Sequence, residues 1–176
     1  RYFAIGTALH QLILEPESFM DDYIIVPVFD KRSKKGKAEF MEFYGKHKNM
    51  GWVDEKEMDM IHGMAKSAQM NETIVELLRD SYREVSVYGT DAKTGLPLRI
   101  RPDSLSKKKS TVLDIKSCVD SGKRAFKKDI LKYHYPLTAA FYSDILGKEN
   151  YVFGAIEKTP PYQTSPYMID DEMMEM

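Results

Sequence analysis

The chain has 176 residues and a mass of 20.3 kDa, with 43% apolar and 30% charged residues. That is the composition of a folded domain rather than a disordered segment, long enough for one well-buried domain and short for two. The longest apolar run, residues 23–29, is far below the roughly 20 residues of a membrane-spanning helix. A lone cysteine, Cys118, excludes an internal disulfide and any all-cysteine metal or iron–sulfur site within the chain, and fits a reducing compartment. The net charge of −1 argues against a generic polyanion binder, yet the charge is uneven. Residues 99–128 hold ten basic residues against three acidic ones, and residues 170–176 carry four acids and no base. The chain opens at Arg1 with no initiator methionine and no basic-then-apolar leader, so further residues are expected beyond both ends.

In chain order, Ile5, Ala8, Leu9, Leu12 and Ile13 recur at the spacing of a helix with one buried face, which Pro16 ends. Residues 23–29 read as a strand and residues 30–37 as a basic loop. Asp54 followed by Glu57 is a capping-box start to a helix whose inner face is Met58, Ile61, Met64, Ala65 and Ala68. Asn71 caps a further helix through Arg79, with Ile74, Leu77 and Leu78 inward. The period then changes to two: Val85 and Val87 alternate with Glu84, Ser86 and Tyr88, a turn follows over residues 89–95, and Leu96, Leu98 and Ile100 alternate with Arg99 and Arg101. After a lysine-rich turn, residues 111–117 form a third strand of this meander. Ser121 is expected to cap a basic helix with Ala125 and Phe126 inward. Pro136 starts another helix through Leu146, and residues 151–156 and 165–169 close the chain as strands. The pattern predicts one α/β domain around a mixed sheet flanked by helices, with a helical part over residues 1–82 and the sheet with its helices over residues 83–176.

The chemistry sits at Pro102-Asp103 and, ten residues on, Asp114-Ile115-Lys116. Residues two apart on a strand share a face, so Asp114 and Lys116 project together while Leu113 and Ile115 point into the core. Asp103 is expected at the end of the preceding strand, across one hairpin. Two carboxylates and an ammonium then converge at one sheet edge, an arrangement that a hard divalent cation such as Mg²⁺ stabilises and that suits phosphodiester hydrolysis. Otherwise the same residues form a weak exposed ion pair on a surface hairpin. Lys107, Lys108 and Lys109 read equally as phosphate contacts or as a solvated loop, and Arg99 and Arg101 either meet DNA or pair with Glu84 or another acid. Lys123, Arg124, Lys127 and Lys128, at the start of the basic helix, are placed to hold phosphate by sequence-independent, salt-sensitive contacts. His47, His62 and His134 have no context that suggests a role.

These residues resemble the PD-(D/E)xK nucleases with their restriction-endonuclease-like α/β core, and in particular the phage-type exonuclease VIII (RecE-like) branch. Gly6-Thr7-Ala8-Leu9-His10 with Leu14-Glu15-Pro16-Glu17 is similar to that branch's N-terminal helix. Glu84-Val85-Ser86, Thr94-Gly95-Leu96 and Arg101-Pro102-Asp103 resemble the stretch leading into its catalytic hairpin, and Asp114-Ile115-Lys116 matches the D-x-K. Ala139-Ala140-Phe141-Tyr142-Ser143-Asp144 matches the end of a helix usually written Q-x-x-x-Y, with Thr138 where the glutamine stands. The resemblance covers residues 6–158. It implies Asp103 and Asp114 as metal ligands together with the Ile115 carbonyl, Lys116 as the catalytic lysine, and Glu84 and His10 as further ligands of Mg²⁺, for which Mn²⁺ can substitute. Read without it, His10 is an ordinary helix histidine, Glu84 an exposed strand glutamate and Tyr142 a core aromatic; with it, Tyr142 lines the DNA site. The resemblance further implies 5′-to-3′ digestion of double-stranded DNA ends, a homo-oligomer and a single-strand annealing protein as recombination partner. Two alternatives stand beside it: a RecB- or Cas4-like nuclease, the latter disfavoured because Cys118 alone cannot hold an iron–sulfur cluster, and a non-catalytic nucleic-acid-binding module on the same fold, which Thr138 favours and the intact Asp103, Asp114 and Lys116 oppose.

Overall fold

A computed structural model describes residues 2–108, 110–147 and 150–169. The chain divides into two compact units, residues 1–62 and residues 63–176, with the division inside one helix.

In the first unit, helix α1 (Tyr2–Leu14) buries Ile5, Ala8, Leu9, Ile13 and Leu14 and stops where Pro16 begins a short 3₁₀ turn. Helix α2 (Phe19–Asp22) leads into strand β1 (Tyr23–Ile25), which pairs in parallel with β2 (Gly51–Val53) through Ile24↔Trp52. Ile5, Ala8, Phe19, Tyr23, Val53, Met58 and Ile61 form the core of this unit, with Phe19 and Tyr23 stacked at 4.9 Å. Two expectations are corrected here. The strand expected over residues 23–29 is only three residues long, because its partner is equally short and Pro27 has no N–H to continue a ladder. The basic loop expected over residues 30–37 ends at Ser33, and its second half is the first turn of helix α3 (Lys34–His47), capped by the Ser33 hydroxyl, which accepts the Gly36 N–H at 3.0 Å. A side chain at Gly36 would collide with the Asp30 carbonyl, its Cβ only 2.2 Å away. Helix α3 packs Phe40, Phe43 and Tyr44 around Trp52, a satellite aromatic cluster set apart from the aliphatic core.

Helix α4 (Glu55–Met70) starts with the expected capping box: the Glu57 N–H donates to Asp54 Oδ1 and the Asp54 N–H to Glu57 Oε2, both at 2.9 Å. Its predicted inner face is buried throughout. In the second unit, Asn71 caps helix α5 (Glu72–Arg79), accepting the Ile74 N–H at 3.2 Å. Next come strands β3 (Ser81–Arg83), β4 (Val87–Thr90), β5 (Pro97–Ile100), β6 (Ser104–Ser106) and β7 (Thr111–Cys118). Helices α6 (Lys123–Lys132) and α7 (Tyr135–Leu146) follow, then strands β8 (Asn150–Glu157) and β9 (Thr164–Ile169).

The central sheet has the order β3-β6-β7-β8-β9 and is mixed: β7 and β8 run parallel, the other neighbours antiparallel. The parallel pair requires a crossover, and α6 with α7 supplies it. These helices cover one face, where Phe126, Ile130 and Ala139 pack with Val112, Cys118, Tyr151, Phe153, Ala155 and Ile169. The alternate residues of β7 point the other way: the space above Gly154 is bounded by Ile115, Leu113 and Ile74 of α5, so a Cβ there would lie 3.0 Å from Ile74 and Ile115. The mixed sheet between helices is thus as the sequence implies. The meander is not: β4 and β5 form a separate two-stranded ribbon, and the strand beside β7 is the short β6. Ser121 is also not the cap of α6. Gly122 occupies that position without a side-chain bond, while the fully buried Ser121 hydroxyl donates to Glu157 Oε1 at 3.0 Å and meets Ser165 Oγ at 3.1 Å.

Candidate active site

The site is built on the β6–β7 hairpin. Its register pairs Ser104 with Leu113 and Leu105 with Val112. One step further along the same register brings Asp103 level with Asp114. Asp103 therefore immediately precedes the strand beside β7, rather than ending the Leu96–Arg101 strand as expected; that segment, β5, pairs with β4 instead. The adjacency of the two acids survives the change of path. The Ile115 N–H donates to Asp103 Oδ2 at 2.6 Å, a charge-assisted bond that locks the first carboxylate against the backbone following the second.

Asp114 is buried, at 6% exposure, on the face covered by α6 and α7. An ionised carboxylate there must be paired or hydrogen-bonded. Lys116, two residues on and on the same face, places Nζ 2.5 Å from Oδ1, and the Tyr151 hydroxyl donates to Oδ2 at 3.0 Å. Burial, reinforced by the Asp114 charge, pushes the Tyr151 hydroxyl far above its ordinary value, so it remains a donor. Burial and then the Asp114 charge push Tyr135 up to about 12, and its ring lies 5.2 Å from Lys116 Nζ. Tyr151 and Tyr135 escaped the sequence reading. For Tyr151, on β8, the signal in the sequence is a phenol in an otherwise apolar buried strand, which needs a hydrogen-bond partner; Tyr135, on α7, carries no such mark.

Glu84 corrects a further expectation. It is not a strand residue alternating with core valines; it follows β3 in a left-handed conformation with φ 51°. Its N–H donates to the Asp103 carbonyl at 3.1 Å, and Arg101 Nε reaches both the Glu84 carbonyl, at 3.0 Å, and Oε2, at 2.8 Å. Arg101 thus takes the pairing role while staying half in solvent, and Arg99 donates to Ser86 Oγ at 3.1 Å. This bend brings a carboxylate oxygen of Glu84 within 4.8 Å of one of Asp103. Hard, closely spaced carboxylate oxygens are the donor set a divalent cation such as Mg²⁺ takes.

A family model described as a PDDEXK-like domain of unknown function (DUF3799) matches residues 1–176. The chain belongs to this PDDEXK-like family. A comparison with curated proteins found no match. Among solved structures, the chain is similar to a protein of Eubacterium rectale assigned as an exonuclease, with a TM-score of 0.64 and 14% identity over 97% of this chain. The chain spans 59% of the length of that protein. A phage-related exonuclease from Haemophilus somnus 129PT gives a TM-score of 0.46 at 11% identity, covering 96% of this chain and 85% of that one.

The remaining residues singled out in this PDDEXK-like chain fall as follows. Lys123, Arg124, Lys127 and Lys128 are all exposed on α6, whose first turn has no acidic residue. Tyr142 is half-buried on α7 and meets the ring of Tyr151 edge-on at 6.4 Å, one layer behind Asp114; Thr138, a turn earlier, is exposed. His10 is half-buried in α1 of the first unit. Lys107 and Lys108 reach Asp80 at 3.9 and 3.0 Å, so the hairpin lysines have a structural partner. Lys109 and the acidic residues 170–176 lie outside the described residues. Among the described residues, no helix is long and apolar enough to cross a membrane.

Proposed function

We propose that the chain is a divalent-metal-dependent DNA nuclease that hydrolyses phosphodiester bonds at duplex ends. The observation that supports this most is the bond from the Ile115 N–H to Asp103, which fixes Asp103 beside a buried Asp114 already paired with Lys116. Asp103, Asp114 and the Ile115 carbonyl would hold the cation, with Glu84 beside Asp103 as a further ligand; the motif resemblance adds His10. A bound Mg²⁺, or Mn²⁺ in its place, supplies polarisation of the phosphoryl oxygen and a water of lowered pKa. Lys116 is the catalytic lysine: tethered by Asp114, its ammonium orients the attacking water and offsets charge developing on the phosphate. Tyr151 fixes the Asp114 rotamer, and Tyr142 braces Tyr151 from the α7 side. The exposed cations of α6 bind backbone phosphates without reading sequence.

The finer reading, 5′-to-3′ digestion by a cytoplasmic homo-oligomer working with a single-strand annealing protein in phage-type recombination, draws on the motif resemblance. The test is degradation of end-labelled linear duplex, with closed circular DNA as control. Wild type in Mg²⁺ should release labelled nucleotides from the linear substrate only, faster from 5′ than from 3′ label. Asp114→Ala and Lys116→Ala should lose at least about a hundredfold of that rate. Undiminished activity in either variant would reject the assignment of the site.

A further inference from the structure

Between α6 and α7 the chain reverses across His134, a non-glycine residue in the left-handed region at φ 54°. Such a backbone is costly, although histidine tolerates it better than most residues. The turn sets the two flanking tyrosines face to face: the rings of Tyr133 and Tyr135 are 5.7 Å apart with 25° between their planes. Their surroundings differ. Tyr135 is anchored, packing on Phe153 at 5.3 Å and on Phe126 at 6.4 Å, with the Lys116 ammonium 5.2 Å from its centroid. Tyr133 is 53% exposed, and its other neighbour is the ammonium of Lys132, 5.0 Å from its centroid. Core packing accounts for Tyr135 but not for a second ring stacked outward from it. An aromatic step therefore leads from the lysine beside Asp114 to the protein surface, at the C-terminal end of α6, the helix that carries Lys123, Arg124, Lys127 and Lys128.

We propose that Tyr133 and Tyr135 form a stacking platform for an unpaired nucleobase of the DNA strand held at the site, with Lys132 leaving the ring to meet the adjoining phosphate. This deepens the nuclease reading above and rests on it. Every base has a π-face, so such a platform is indifferent to sequence. A solvent-exposed lysine–ring contact is weak, so a stacked base readily replaces it. Only a base already out of the duplex stack can occupy the platform, so the preferred ligand is a frayed end or a short single-stranded overhang.

The test is binding without cleavage, in EDTA, of a duplex with a short overhang carrying 2-aminopurine at each terminal position in turn, alongside twins with an abasic residue at the same positions. Wild type should quench 2-aminopurine at one position and bind that duplex about tenfold more tightly than Tyr133→Ala does. Tyr133→Trp should retain tight binding, and the abasic twin should be bound equally weakly by wild type and Tyr133→Ala. Equal affinity of wild type and Tyr133→Ala for the intact overhang, or an equal loss with the abasic twin, overturns the platform. Should Tyr133→Ala fail to fold, the wild-type comparison of intact with abasic overhangs decides alone, and no discrimination at any position rejects the proposal. The two readings fail separately: a wild type that never degrades DNA in Mg²⁺ removes the nuclease, whereas an enzyme that cleaves but ignores the abasic substitution removes only the platform.

Discussion

Tyr151→Phe removes one oxygen atom and leaves the ring against Tyr142 and Phe153 undisturbed. The lost hydroxyl donates to Asp114 at 3.0 Å, and both partners are buried, Tyr151 at 0% and Asp114 at 6% exposure. A hydrogen bond to a charged, desolvated acceptor contributes about 1.5–3 kcal/mol. For a chain of this length a loss of about 2 kcal/mol lowers the midpoint of thermal unfolding by roughly 4–8 °C. Followed by circular dichroism at pH 8, Tyr151→Phe should melt within that interval below wild type. In a double-mutant cycle with Asp114→Ala, the coupling energy should exceed about 1 kcal/mol. In the proposed nuclease the same change should lower metal affinity or turnover by about tenfold, because an outer partner that orients a ligand is lost. A coupling energy below about 0.5 kcal/mol would show that Tyr151 does not hold Asp114, and would remove the phenol from the site.

Burial pushes the Cys118 thiol from 9.0 up to about 12 and Tyr135 from 10.0 up to about 12. Above pH 9 the unfolded chain thus releases protons that the native chain retains, and stability falls as pH rises from near 9, the share of these two groups being spent near 12. In urea titrations between pH 9.5 and 11.5, Cys118→Ala should lose stability more slowly than wild type, by up to about 1.4 kcal/mol per pH unit; parallel curves would contradict this. Glu84→Gly should be at least as stable as Glu84→Ala, since glycine takes φ 51° without the penalty that any side chain bears there, while both abolish the proposed activity. Chemical denaturation with a nuclease assay on the same samples checks this pair, and a less stable or active glycine variant would contradict it.

What the sequence reveals tracks how local the determinant is. Helices α1, α4 and α5 are legible because their apolar period and their caps, Asp54 with Glu57 and Asn71 with Ile74, lie within one or two turns. Helix α3 is not, since it opens with lysines and packs its half-buried aromatic stripe on Trp52 rather than in the aliphatic core. The adjacency of Asp103 and Asp114 is legible from the spacing of Pro102-Asp103 and Asp114-Ile115-Lys116, but the strand that delivers it is not. Ser104–Ser106 is three residues with no β-branched side chain, and the stronger alternation over residues 97–100 closes locally on β4. Glu84's backbone and Tyr151's partner leave no mark in a linear pattern, because each depends on a residue 17 or 37 positions away. Ser121 illustrates the converse: a serine just before a helix suggests a cap, yet burial against Glu157 and Ser165 claims the hydroxyl first.

The same pairing that lets Asp114 be buried also links its stability to its chemistry. Lys116 keeps 26% of its side chain in solvent while its ammonium rests on a carboxylate that is 8% exposed. Truncating the lysine removes one of the partners that offset a buried charge, whereas removing the carboxylate leaves an ammonium that water can still reach. Compared in a Tyr151→Phe background, where no phenol is left without its acceptor, the two substitutions should therefore abolish the proposed activity alike but destabilise unequally, Lys116→Ala more than Asp114→Ala. A buried salt bridge of this kind adds little net stability over an apolar pair of the same volume. Its place among Val112, Leu113 and Ile115 on β7 is accounted for by what the lysine, still partly in solvent, can reach. A Lys116→Met, Asp114→Leu, Tyr151→Phe triple variant, which leaves no phenol without its acceptor, should on this reasoning fold at least as stably as wild type while losing the proposed nuclease activity, and a marked loss of stability would mean that the pair is part of the scaffold rather than of the reaction.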